Sequence, residues 1–379
     1  MPPNWLEQDL FGAQTIEPLI ECRTLKARRA PLSILAIALA SAFIARAPEA
    51  HAAPNDTVEV SLSSSPASER TARTARTAPT AAPVTPASEL VAPPVAFDRW
   101  RGVSSCSYIA PKADFVTKDG GVDVVFHFHA GQMAERQMKD SGLNAVFVAC
   151  GFGLGSGAYA DAFANPHRFG RMVDELVKSL EAQTGKKGLH VRHLALTSWS
   201  AGFAAVGKIL GVDRYYAMTD AVVLNDSLHS GYKDPNPKTA AQGADRVDLK
   251  MMRSFIRFAK DAVAGQKAMT ITHSSIIPPD YASSAEATEA LLTATEVPLT
   301  NVDPATLDRV DPGKSETWRT MALSRRADAG NLHVRGFRGQ GPRDHFEHLY
   351  LIGQVLRSWV VPRWKREERL VYTLAGEQL

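Results

Sequence analysis

The segment from His193 to Gly207 constrains the fold of this chain more than any other part of the sequence. A short apolar run at 194–196 leads into a corner of mostly small and polar residues at 197–202. Large apolar side chains then return with the spacing of one helical face, at Phe203, Val206, Ile209 and Leu210. The pattern predicts a strand, a sharp turn and a helix, with Ser200 at the tip of the turn.

Strand and helix patterns alternate through most of the chain. Apolar runs typical of strands buried on both faces occur at 121–131, 144–150, 221–224 and 268–272. Helical spacing occurs at 171–184, 248–264, 283–293 and 345–360, and 320–337 resembles a hairpin or two extended pieces. This alternation predicts an α/β fold with a mostly parallel central sheet flanked by helices.

The turn around Ser200 resembles a known catalytic motif. Its pattern, Ser198-x-Ser200-x-Gly202, is similar to the Gly-x-Ser-x-Gly nucleophile elbow of the α/β-hydrolase superfamily. That elbow strains the backbone of its serine, so the residues two before and two after must be small; here Ser198 replaces the usual first glycine. The resemblance covers about residues 97–379 and implies the α/β-hydrolase fold and a serine hydrolase that needs no cofactor.

Polar side chains follow the predicted strands where an open α/β sheet binds its ligands, beyond the carboxyl ends. They are His129, Ser200, Asp226, Ser227, His229, His273 and Ser274, with Asp344, His345 and His348 after the last extended segment. A serine, an aspartate and a histidine thus occur in the chain order of the α/β-hydrolase triad.

The resemblance implies a catalytic role for three of these residues. Ser200 would be the nucleophile, His345 the base and Asp226 the acid that orients the imidazole. His348 is the second choice for the base, because a spacing of three places it on the same helical face as His345. A turn or helix-capping role remains the alternative for Asp226.

Backbone donors for an oxyanion hole and a ring-lined pocket complete the expected site. The resemblance implies that the N–H of Ala201 and one from the Ala130-Gly131 loop would hold the developing negative charge. Trp199, His129 and His229 are the predicted pocket residues. Phe152 and Tyr159 could line an apolar or sugar-stacking pocket together with Trp199, although core packing is the more common role for such rings.

Two other motifs in the sequence allow a different interpretation. The spacing of His127 and His129 on one strand face could begin a metal site of the amidohydrolase type. That barrel needs more strand–helix units than the sequence shows, so no metal is expected. The glycine-rich tract Gly151–Gly157 lacks the Lys-Ser/Thr of a phosphate-binding loop, and we interpret it as a loop at the rim of the cleft.

The first 52 residues have the parts of an export signal. Arg28-Arg29 precede an apolar run of about 14 residues at 32–45, and Ala50-His51-Ala52 follows as a cleavage site. Cleavage near Ala52 would give a periplasmic or secreted protein without a membrane span. The alternative is an uncleaved anchor through 32–45, and the stretch before Arg28 is long enough for the true start to lie further in.

Composition divides the remainder of the chain. Residues 53–96 are dominated by Ala, Thr, Ser and Pro and predict a disordered linker, which leaves one hydrolase domain at 97–379. A net charge of +3 without basic clusters gives no support for nucleic-acid binding. Of three cysteines, Cys106 and Cys150 remain after export, either bridged or as free thiols.

The functional hypothesis is therefore an exported serine hydrolase that acts on a small-molecule or polymeric ester. A serine peptidase or amidase could use the same triad. A binding or scaffold protein could also keep the fold without the chemistry, because fold does not determine function.

Overall fold

A sheet of mostly parallel strands forms the centre of the molecule, which we describe from a computed structural model. The described residues are 93–234, 236, 242–303, 309–310 and 321–365, all within one compact unit, Ser88–Leu379. The predicted signal at 1–52 lies outside them, as does the predicted linker at 53–96 except for 93–96.

The strands, in chain order, are β1 Arg101–Val103, β2 Cys106–Ile109, β3 Gly121–Phe128, β4 Val146–Cys150, β5 His190–Trp199, β6 Ala221–Asn225, β7 Ala268–His273, β8 Thr300–Asn301, β9 Arg309–Val310, β10 Met321–Ala329 and β11 Leu332–Phe337. Their order across the sheet is β1-β2-β4-β3-β5-β6-β7-β11-β10-β8, with β9 also paired to β10. The run from β4 to β11 is parallel, and antiparallel strands extend it at both ends.

Helices fill most of the connections between the strands. They are α1 Glu135–Asp140, α2 Ser156–Ala162, α3 Arg168–Thr184, α4 Phe203–Leu210, α5 Asp213–Met218, α6 Arg253–Val263, α7 Ser284–Ala294, α8 Pro342–Tyr350 and α9 Ile352–Val355. A π-helical turn, Leu356–Val360, continues α9. Parallel strands need such crossovers, so the predicted alternation of strands and helices is the direct cause of the layered fold.

Each face of the sheet carries its own apolar core. Alternate residues of β3 show this, because Phe126 packs with helices α3, α4, α6 and α7, whereas Val125 packs with α1, α8 and α9. The helix α3 presents Phe169, Met172, Leu176 and Leu180 to the first core at helical spacing. The predicted fold class, a mostly parallel sheet with helices on both sides, is confirmed.

Two predicted helix boundaries are wrong. The helix expected at 248–264 begins at Arg253, since residues 248–252 form turns such as Met252 N–H to Leu249 O at 3.1 Å. The helix expected from 345 begins at Pro342, where Asp344 accepts a hydrogen bond from the N–H of Gly341 at 2.9 Å. Proline is suited to a first helical position because its missing N–H would have no helical partner there.

The two cysteines of the domain form a disulfide, which settles the choice left open by the sequence. Cys106 and Cys150 are directly opposed in the β2–β4 ladder, with 4.5 Å between their Cα atoms. The bridge thus ties β2, which lies between the edge strand β1 and β4, to the parallel part of the sheet. In the part of the chain described, no helix combines the length and hydropathy needed to cross a bilayer.

Candidate active site

Ser200 occupies the tight turn that joins β5 to α4. Its φ angle is 50°, which is left-handed backbone that residues other than glycine adopt rarely and that is often found at functional sites. The side chain follows the buried end of β5 and is itself only partly buried. The predicted strand, turn and helix are all present here.

Gly202 allows this turn to lie directly against the neighbouring strand. A Cβ atom at this position would lie 2.2 Å from the carbonyl oxygen of Phe128 at the end of β3. No side chain can be accommodated at that distance from backbone, so the glycine of the motif is needed for close packing.

Ser198, which replaces the usual first glycine of the elbow, has a structural partner. Its hydroxyl lies 2.7 Å from that of Ser227, and Ser227 Oγ donates to the carbonyl oxygen of Ser200 at 2.8 Å. Because Ser227 uses its proton for that carbonyl, Ser198 is the donor in the pair. The two hydroxyls therefore connect β5 to the loop after β6 and support the strained turn.

Asp226 and His345 form a short polar contact at the carboxyl ends of the strands. The Nδ1 of His345 lies 2.7 Å from Asp226 Oδ2, and the other carboxylate oxygen accepts the N–H of Ser274 at 2.9 Å. Burial would raise the pKa of Asp226, but the neighbouring His348 and His345 and the Ser274 N–H favour the charged form and hold its pKa below the usual range. The carboxylate is thus buried, charged and fixed by hydrogen bonds.

Trp199 places His345 beside the elbow. Its indole N–H donates to the carbonyl oxygen of His345 at 2.8 Å, and the two ring centroids are 4.5 Å apart. Since Trp199 directly precedes Ser200, the candidate serine and the candidate base lie on the same side of the molecule. With Nδ1 held by Asp226, the Nε2 of His345 is the ring nitrogen available for a reaction.

His348 has a different environment. It is fully buried, and its Nδ1 lies 2.8 Å from the hydroxyl of Thr272 on β7. Burial, together with the nearby His345 and His273, lowers the pKa of His348 to about 4, so its imidazole is neutral near pH 7. Of the two candidate bases, His345 is the one hydrogen-bonded to Asp226.

The loop after β3 lies next to the elbow in the position expected for oxyanion donors. His129 and Ala130 both have left-handed backbone, with φ angles of 77° and 52°. A Cβ atom at Gly131 would lie 2.7 Å from the Cβ of Ala149, so this loop packs closely on the end of β4. Ala201, the other expected donor, lies in the 3-10 turn that follows Ser200.

The predicted pocket residues are two groups of rings on either side of the elbow. His129 stacks on Trp199 with 5.2 Å between centroids, and its Nδ1 lies 2.8 Å from the Tyr159 hydroxyl. Burial and the nearby His345 lower the pKa of His129 to about 4. On the other side, His229 meets the ring of Phe203 at 5.4 Å.

His127 does not share a site with His129. It is fully buried within β3, and its Nδ1 lies 2.8 Å from the hydroxyl of Thr197 on β5. Burial lowers the pKa of His127 to about 3. Among the described residues, no group of three or more His, Cys, Asp or Glu side chains could hold a metal ion.

The sequence did not predict the supporting contacts of Ser227, Ser274 and Thr272, whereas it placed Tyr159 among the possible pocket residues. Ser227 and Ser274 lie within two residues of a strand end, and this position was the available signal. The contact of Thr272 depends on tertiary packing and had no local signal.

Comparisons with known proteins concern the fold alone. No family profile and no curated protein matches the chain. Among solved structures it is similar to an acylaminoacyl peptidase from Pyrococcus horikoshii, with 11% identity, a TM-score of 0.37 and coverage of 69% of this chain and 42% of that one. It therefore spans less than half the length of that peptidase.

Two shorter enzymes also match part of this chain. For a ferulic acid esterase the identity is 15% and the TM-score 0.36, with 67% of this chain and 92% of that chain covered. For a poly(3-hydroxybutyrate) depolymerase from Bordetella parapertussis the values are 14% and 0.36, with 66% and 82% covered. The strand order and the strained turn at Ser200 agree with the α/β-hydrolase fold that the sequence predicts.

Proposed function

We propose that this protein is a serine hydrolase that cleaves carboxylic esters, with Ser200 as nucleophile, His345 as general base and acid, and Asp226 as the orienting carboxylate. The observation that carries the proposal is the hydrogen bond of 2.7 Å between His345 Nδ1 and Asp226 Oδ2, packed against the residue that precedes a strained serine. A serine hydroxyl needs such a base because it barely ionises at neutral pH.

The first half of the reaction would acylate Ser200. Its Oγ attacks the ester carbonyl carbon while its proton passes to Nε2 of His345, and the carbonyl becomes a tetrahedral oxyanion. The N–H groups of Ala201 and of the Ala130-Gly131 loop would stabilise that charge. Collapse breaks the bond to the alcohol oxygen, which leaves with the proton from His345.

The second half would reverse these roles with water. His345 takes a proton from water, whose oxygen attacks the acyl carbon, and the acid is released as the proton returns to Ser200 Oγ. Asp226 remains a carboxylate throughout and stabilises the imidazolium. Its low pKa suits this role, because a protonated carboxyl group could not accept the His345 N–H in the same way.

Export before activity is part of the proposal. The basic and apolar segments at 28–45 and the Ala-x-Ala sequence at 50–52 support a cleaved leader. The Cys106–Cys150 disulfide agrees with an oxidising compartment. N-terminal sequencing of the mature protein is expected to begin just after Ala52, whereas an intact leader in a membrane fraction would support an anchor through 32–45.

Turnover of p-nitrophenyl acetate tests the proposed chemistry. Ser200→Ala is expected to lower kcat/KM by at least about a thousandfold, since the remaining groups give only residual catalysis. Ser156→Ala, in the exposed glycine-rich tract, is the matched control and should retain activity. Turnover that survives Ser200→Ala, or no turnover of any ester by the natural chain, would favour the scaffold alternative.

A further inference from the structure

The large apolar side chains that the described part of the chain exposes are confined to one edge of the sheet. They are Met133, Leu154, Leu249, Met251, Ile277 and Tyr281, with exposed fractions of 50, 64, 38, 63, 63 and 45%. We call these six residues the apolar rim. Single exposed apolar residues are ordinary, but their restriction to one region marks an interaction surface.

The topology places the apolar rim around Ser200. Met133 follows β3, Leu154 follows β4, Leu249 and Met251 lie between β6 and α6, and the other two residues follow β7. Since β3 to β7 are parallel, the segments after their carboxyl ends meet at one edge. Ser200 and Asp226 follow β5 and β6 at that same edge.

Direct contacts connect the apolar rim with the rings of His129, Trp199, Phe203 and His229, which we call the inner pocket. The ring of Tyr281 lies 5.3 Å from that of His229, which in turn meets Phe203 just beyond the elbow. The sulfur of Met251 lies over Gly231, 3.3 Å from where a Cβ atom would be. A molecule that covers these side chains would therefore also cover the candidate nucleophile.

The inner pocket and the apolar rim favour different parts of a substrate. Trp199 precedes Ser200 and Phe203 follows it by three residues, and His129 and His229 pack against these two rings at 5.2 and 5.4 Å between centroids. This close packing of rings next to Ser200 favours a short acyl unit. Two surface hollows, of about 370 and 570 Å³, are lined by other residues and contain none of these rings. A single short ester would not reach six side chains spread over four segments, whereas an extended apolar surface would.

The charged residues beside the apolar rim indicate which kind of surface the rim would bind. These charged residues are mixed in sign. The described residues of the segment that carries Leu249 and Met251 include Lys233, Arg246, Lys250 and Arg253 but also Asp234, Asp245 and Asp248, and Asp280 lies beside Tyr281. An anionic membrane attracts clusters of Lys and Arg, whereas the cations described beside the rim are interspersed with nearly as many carboxylates. A neutral surface therefore fits best.

From this arrangement we propose that the site acts on a water-insoluble neutral polyester, which adsorbs to the apolar rim and presents one short ester unit at a time to Ser200. This inference rests on the proposed function, because it names the substrate of the same site. Adsorption also brings ester bonds to Ser200 at high local concentration, which raises turnover without any change in the chemistry.

Polycaprolactone particles are the probe, and adsorption is measured in the Ser200→Ala background so that it does not depend on catalysis. Combined substitution Leu154→Ser, Met251→Ser and Ile277→Ser should weaken binding to the particles by at least about tenfold, as expected for lost burial of three apolar side chains. The conservative set Leu154→Ile, Met251→Leu and Ile277→Leu should bind as the parent does. Melting curves of both sets verify that each is folded.

A second readout separates this inference from the proposed function. With Ser200 restored, the ratio of polycaprolactone to p-nitrophenyl acetate turnover should fall at least about fivefold in the serine set. Unchanged adsorption and an unchanged ratio would contradict the proposed adsorption of polyester to the apolar rim. They would not contradict the proposed hydrolase activity. Adsorption without Ser200-dependent turnover would support binding at the apolar rim but would contradict the proposed ester hydrolysis by Ser200.

Other occupants are recognised by separate outcomes. Rim-dependent binding to phosphatidylserine vesicles, with no binding to polycaprolactone, would overturn the proposal in favour of a membrane. A change from dimer to monomer in the serine set, again without polyester binding, would assign the apolar rim to contact between two copies of the chain.

Discussion

Polar residues have different roles at the two ends of the parallel strands, which we call the carboxyl edge and the amino edge of the sheet. At the carboxyl edge, His129, Ala130, Ser200 and Asp226 have left-handed backbone, which accounts for four of the six such residues other than glycine in the described chain. At the amino edge, polar side chains instead hold the backbone together. Lys267, for example, donates to the carbonyl oxygens of Tyr216, Ala217 and Thr219 at 2.7–3.2 Å.

Asp123 is the amino-edge counterpart of Asp226. Its carboxylate accepts hydrogen bonds from Arg192 at 2.8 and 2.6 Å and from His193 at 3.0 Å. A register shift between β3 and β5 brings these two consecutive residues to one carboxylate. Both aspartates are buried beside a histidine, but only Asp226 lies beside a strained, partly exposed serine. A buried Asp–His pair therefore does not identify a catalytic site without its surroundings.

The largest expected effect separates these two aspartates. Asp226→Asn should lower kcat/KM by about a thousandfold to ten-thousandfold with little loss of fold, because the amide cannot orient and stabilise the imidazolium in the same way. Asp123→Asn should instead lower the free energy of unfolding by about 2 kcal/mol, since it removes the charged acceptor of the hydrogen bonds from Arg192 and His193. Ester kinetics and urea unfolding of both variants check this, and similar activity losses would remove the contrast.

Two tightly packed glycines offer the next comparison. An added Cβ would lie 2.2 Å from backbone oxygen both at Gly202, against Phe128, and at Gly330, against Val263. Alanine at either position should destabilise the protein by about 2–4 kcal/mol. Only Gly202→Ala should also lower kcat, because it moves the turn that carries Ser200. Active-site titration of the folded fraction distinguishes the two, and an equal kcat would contradict this account.

Acid should lower the free energy of unfolding, because neutral histidines are buried near the carboxyl ends of the strands. Burial lowers the pKa of His127 to about 3 and of His348 to about 4, whereas unfolded histidine titrates near 6.5. The unfolded state therefore binds more protons between these values, and stability falls as pH decreases from about 6.5 towards 4. Unfolding midpoints from pH 7 to 4.5 measure the loss, which His348→Asn should make smaller. A flat profile would show that these histidines are not buried and neutral.

The smallest effect concerns the serine that replaces the first elbow glycine. Ser198→Ala removes its hydrogen bond to Ser227 and should cost about 1 kcal/mol of stability. Activity should decrease only a few-fold, because Ser227 still donates to the carbonyl oxygen of Ser200. Melting temperature and kcat together report this, with Ser156→Ala as the control at an exposed site.

Much of this architecture was predictable because its signals are local. The apolar runs of β3, β4, β6 and β7 and the elbow pattern at Ser200 depend on neighbouring residues only, and the fold class followed from their alternation. The candidate acid and base were found because parallel strands end at a common edge.

Other features depend on contacts between distant segments. The strands β1 and β2 have only 3 and 4 residues and too little alternation to predict, and the disulfide depends on their register with β4. The left-handed backbone at His129 and Asp226 leaves no trace in residue type, because neither position is glycine. The start of α6 was misjudged because the turns at 248–252 share the apolar spacing of the helix.

Covalent labelling tests the central claim most directly. A fluorophosphonate probe should modify the folded chain once, and peptide mapping should locate the adduct on Ser200. Ser200→Ala should abolish the adduct, and Asp226→Asn should slow its formation. An adduct on any other residue, or none on folded protein, would contradict the assignment of this turn as the reactive centre.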